Sequence, residues 1–169
     1  EDTDGRLLRA PSNQCVVDAL EAFLLRPCTN RPIKYIPHSQ YDDALQPFVN
    51  PLSCRGGREP KVPVKRETLL ALLEAIRSNI DWAGCFEGFS VKVIKALCHI
   101  FQVNMVALDK NDRIIDRIDE YEGRNNHHAT LAFYAFHGHM YLLADKDAVA
   151  GVVAVARDAH LETSHANLQ

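Results

Sequence analysis

The chain has 169 residues, 47% apolar and 24% charged, with a formal net charge of −3 and a pI near 6.2. That length closes one hydrophobic core without staples, so a single domain over 1–169 is expected. The near-neutral balance excludes the basic footprint of a nucleic-acid binder, and no apolar run reaches the ~20 residues that span a bilayer.

The opening stretch, "EDTDGRLLRA", lacks the pattern of a signal peptide. The five cysteines (15, 28, 54, 85, 98) are odd in number and scattered. They suit a reducing, cytoplasmic setting better than a disulfide framework. Residues 13–25 carry Val16, Leu20, Phe23 and Leu24 at helical spacing, and Pro27 follows as a stop. From 26 to 65 the period vanishes and seven of the eight prolines cluster. This zone reads as an irregular, Pro-rich excursion with a short helix near "SQYDDALQPF", facing a substrate or forming a disordered insertion. Little of the core is expected to depend on it.

Helical period returns at 66–80, where Leu69, Leu70, Leu72, Leu73, Ile76 and Ile80 make an apolar stripe. Ser90 is placed to N-cap a further helix running to about 101. On that helix Cys98 reads as a core thiol and His99 as a surface neighbour. The period then drops to two. Residues 103–109 and 113–118 predict one hairpin, and 129–136 with 139–145 another, joined at His137-Gly138. The tail from 146 is ambiguous between helix and strand. Helices followed by strands predict an α+β fold, with N-terminal helices packed on a small antiparallel sheet.

Two residues carry candidate chemistry. In "SNQCVVDAL", Cys15 stands where a helix begins, and a helix start offers unsatisfied N–H groups and partial positive charge. Such a place favours a thiolate, the nucleophilic form of cysteine. It also directs the Cys15 amide at a developing oxyanion, with Asn13 and Gln14 as neighbouring donors. A general base must be held rigidly, and of the eight histidines His139 opens a clearly apolar strand. His38, His160 and His165 lie in weakly patterned segments, and His127-His128 precedes a strand. No cysteine pair is closer than 13 residues, and "HH" and "HGH" lack partners at ligand spacing, so no metal site is expected.

Three stretches, "PSNQCVVDAL", "NIDWAGCFEGFSVKVIKALCHIFQVNMVAL" and "LAFYAFHGHMYLL", together resemble the ovarian-tumour (OTU) family of papain-like cysteine proteases. The resemblance implies an OTU-like fold, a Cys15 nucleophile and a His139 general base, with no cofactor. It implies a monomeric thiol protease, deubiquitinase-like or processing a polyprotein, whose partner is ubiquitin, a ubiquitin-like protein or that polyprotein. Three positions depart from the family pattern. Ser12 and Asn13 stand where an Asp-Gly pair is usual, and Tyr141 stands where Asn or Asp commonly follows the histidine. The third catalytic member therefore stays open among Asp2, Asp4 and Asn13, or is absent in a Cys-His dyad. Asp145 lies six strand residues from His139, about 20 Å, and is too distant. The alternative is an inactive OTU-like module that binds ubiquitin or another protein. The terminal Leu168-Gln169 resembles the product side of viral chymotrypsin-like protease cuts, which predicts a viral polyprotein origin and the host cytoplasm.

Overall fold

The computed structural model describes residues 14–25, 33–49, 61–80, 89–121 and 130–168. The first helix, α1 (Gln14–Leu25), buries Val16, Val17, Leu20 and Leu24 on one stripe and leaves Asp18 outside. A two-residue strand β1 (Tyr35–Ile36), a one-turn helix α2 (Asp42–Leu45) and a 3₁₀ turn (Gln46–Phe48) follow. Strand β2 (Val62–Pro63) pairs antiparallel with β1. Next come α3 (Arg66–Ile80) and α4 (Val91–Phe101).

Local chemistry sets these helix limits. Thr68, 1% exposed, accepts from Lys65 N–H (2.8 Å) and donates its hydroxyl to the Pro63 carbonyl (2.7 Å), which ties the start of α3 to β2. Ser90 caps α4 by accepting from Val93 N–H at 3.3 Å, as predicted. Gln102, at φ 56°, closes that helix in the left-handed conformation. Val93, Ile94, Leu97, Cys98 and Phe101 form the buried face of α4.

The main sheet contains β3 (Asn104–Leu108), β4 (Ile114–Ile118), β5 (Thr130–Phe136) and β6 (His139–Leu142), in the order β4-β3-β5-β6. Both expected hairpins are present. In the first, the Asp109 carboxylate accepts from Asn111 and Arg113 N–H at 2.8 and 2.9 Å. In the second, His137 and Gly138 both take positive φ (53° and 70°), the tight-turn geometry that matches strand twist. The expected antiparallel sheet is corrected: β3 and β5 run parallel, so the sheet is mixed. Alternation in a sequence identifies strands but not their neighbours, and β5 lies beside β3 instead of beyond β4.

Every residue of β3 is buried. Met105 and Ala107 join the main core with α1, α3 and α4, whereas Val106 and Leu108 pack with Ala156 on the opposite face. The ambiguous tail supplies that cover as α5 (Lys146–Leu168). Asp145 caps it, its carboxylate accepting from Ala148 N–H at 3.0 Å. The fold is thus α+β in three layers, with helices on both faces of the sheet.

The described part of the 26–65 zone contributes to the core, against expectation. Ile36, Tyr41, Leu45, Val62 and Val64 are buried in the main cluster. Isolated apolar side chains between prolines carry no period, so their burial follows from tertiary contacts with α3 rather than from pattern. His99 is also no simple surface residue. Its Nδ1 lies 2.7 Å from the Tyr121 hydroxyl, with the rings edge to face. Buried Asn104 holds the same segment, donating to the Tyr121 carbonyl (2.7 Å) and accepting from its N–H (2.9 Å). No described helix is long and apolar enough to cross a membrane.

Candidate active site

Cys15 is the second residue of α1, half-buried and packed against the main core. The first turn of α1 contains no acidic side chain to oppose an anion there. Gln14 opens the helix, while Asn13, Asp2 and Asp4 lie outside the described residues, as do Cys28, Cys54, Cys85 and the pair at 127–128. Cys98 is fully buried in α4, and burial pushes its thiol far above the ordinary range, so it is a core residue and no nucleophile.

His139 is the first residue of β6 and pairs with Phe136 across the turn. Its ring is half-buried. Nδ1 is shielded from solvent and has no hydrogen-bond partner. Burial holds His139 below the ordinary histidine value, which favours the neutral imidazole that a general base requires. The ring rests on Tyr141, centroids 4.4 Å apart and tilted by 55°, and Tyr141 stacks on Phe136 at 4.8 Å and 25°.

The fold brings the two elements together: α1 packs directly against β6. It does not join the side chains, since no hydrogen bond links Cys15 to His139. Strand parity supplies the reason. Met140 and Leu142 belong to the core shared with α1, so alternation assigns His139 and Tyr141 to the other face, beside Phe136. Strand β6 is an edge of the described sheet. Contact with Cys15 therefore requires the imidazole to turn around that edge, where no further described strand blocks it.

Sequence reasoning missed the aromatic surroundings of His139. The signal was present in "FHGHMY": residues flanking a two-residue turn face one another across it, so Phe136 and Tyr141 meet the histidine on one face. Asp145, set aside on distance, caps α5. At the far end of the sheet, a cleft of about 340 Å³ is lined by Lys95, His99, Arg117, Ile118, Asp119 and Glu120. Three of its charged side chains are engaged locally: Lys95 with Asp116 at 2.8 Å, Arg117 with the Ala156 carbonyl at 2.7 Å, and Asp119 with Arg157 at 3.5 Å. Among the described residues, no three His, Cys, Asp or Glu side chains are grouped to hold a metal ion.

No protein-family model, curated protein or solved structure matches the chain.

Proposed function

We propose that the chain is a thiol protease of OTU-like arrangement, with Cys15 as nucleophile and His139 as general base. One observation carries this reading: the helix whose second residue is Cys15 packs on the strand that begins at His139, a histidine with an unpartnered, shielded ring nitrogen. In the reaction, His139 removes the thiol proton as Cys15 Sγ attacks the scissile carbonyl. N–H groups at the start of α1, that of Cys15 first with Gln14 beside it, hold the oxyanion, and Asn13, the preceding residue in the sequence, is proposed as a further donor. The tetrahedral species collapses to a thioester, and the leaving amine takes the proton from His139. Water, deprotonated by His139, then releases the acid and restores the thiol. The substrate class is an extended carboxyl-terminal tail, of ubiquitin type or from a polyprotein.

A ubiquitin-tail electrophile tests both parts of the proposal. Labelling lost in Cys15→Ala and in His139→Ala supports a ubiquitin-directed enzyme. Reactivity of Cys15 toward a small alkylating agent that depends on His139, without ubiquitin labelling, moves the substrate to a polyprotein. A Cys15 indifferent to both reagents rejects the enzyme. The missing Cys15–His139 hydrogen bond favours a second reading, an inactive module that binds ubiquitin or another protein; binding of unmodified ubiquitin without turnover is its signature.

A further inference from the structure

We infer that Tyr141, backed by Phe136, is the positioning residue of His139, setting the imidazole's direction by ring packing where an amide or carboxylate acceptor would otherwise do so. This rests on the reading of His139 as the general base. Three observations carry it. Nδ1 is shielded and has no partner, so no hydrogen bond at that nitrogen orients the ring. Among the described residues, the ring against His139 is Tyr141 at 4.4 Å, with Phe136 stacked behind Tyr141 at 4.8 Å. The register accounts for this arrangement, since Phe136 opposes His139 and Tyr141 lies two residues further along the same strand face.

Ring pairs at such distances contribute through area and quadrupole, so the tyrosine's ring is the active part and its hydroxyl is dispensable. Titratable groups on the neighbouring elements are Cys15, Asp18 and Glu21 on α1, Tyr134 on β5 and His137 in the turn. Asp18 is paired with Arg66, and the Tyr134 hydroxyl donates to Asp112. None of them hydrogen-bonds the imidazole. The environment of His139 is therefore set by what covers it.

The test is ¹⁵N NMR of the histidine rings in the whole chain, with His139 assigned by its loss in His139→Gln. Tyr141→Phe should leave the His139 titration and tautomer balance as in the wild type. Tyr141→Leu, which keeps apolar volume so that the hairpin folds, should raise the titration midpoint toward the ~6.5 of an unperturbed histidine and average the tautomers. A Tyr141→Phe variant as altered as Tyr141→Leu would show that the hydroxyl acts, and overturns the inference. So does a Tyr141→Leu variant identical to wild type. The underlying reading fails separately: Cys15 alkylation unchanged in His139→Ala removes the base while leaving the ring-packing result intact.

Discussion

Cys15 and Cys98 show how one residue type takes opposite roles by position. Cys98 sits mid-helix with no exposure, where the charged thiolate is penalised; Cys15 sits at a helix start and is half-buried. At pH 6, alkylation followed by peptide mass mapping should modify Cys15 and spare Cys98 in the folded chain, and, on the proposed role of His139, His139→Ala should slow Cys15 by about a hundredfold, the low end for losing a general base. The histidine also links stability to pH. Its folded value is depressed, so the unfolded chain binds the proton more readily. Its contribution is present above about 6.5, the unfolded value, and is lost as pH falls toward the folded value. Urea midpoints should accordingly drop between neutral and mildly acidic pH, and His139→Gln should flatten that drop.

At the scale of elements, the segment between α1 and α3 departs most from expectation. A zone without period was expected to be dispensable for the core, yet Leu45 is 2% exposed and Tyr41 8%. Leu45→Ala should destabilise the chain by about 2–5 kcal/mol, the usual range for truncating a buried leucine. Urea denaturation measures it. An unaltered midpoint would show that this segment only lies on the surface. The junction at Thr68 offers a finer test. Thr68→Val keeps the shape but leaves the Lys65 N–H and the Pro63 carbonyl without their hydroxyl partner, at a cost of about 1–3 kcal/mol. The predicted Ser90 cap and the turn at His137-Gly138 were legible because each depends on a residue's own preferences: an oxygen for an orphan N–H, and a glycine for positive φ.

For the whole molecule, the decisive feature is α5 on the second face of the sheet. Val106 and Leu108 alternate with Met105 and Ala107, and without α5 the first pair faces water. A chain ending at residue 145 should bind a hydrophobic dye and lose its sharp thermal transition, as molecules with an uncovered sheet face do. Asp145→Ala, which removes only the cap, should cost about 0.5–2 kcal/mol and keep the transition cooperative. Comparing the two separates the helix's stability from its role as cover.

The sequence by itself determined which stretches are helix and which are strand from α3 onward to β6, because period and capping are local properties carried by neighbouring residues. It also singled out Cys15 and His139, each at the start of an element. Only tertiary structure decided the parallel pairing of β3 with β5, the burial of Tyr41 and Leu45, the helical state of the tail and the packing of α1 on β6. It likewise decided which face His139 occupies. Register fixes strand parity, and parity depends on which neighbouring side chains enter the core. That partition between local preference and long-range pairing is why the two candidate residues were legible but their relative orientation was not.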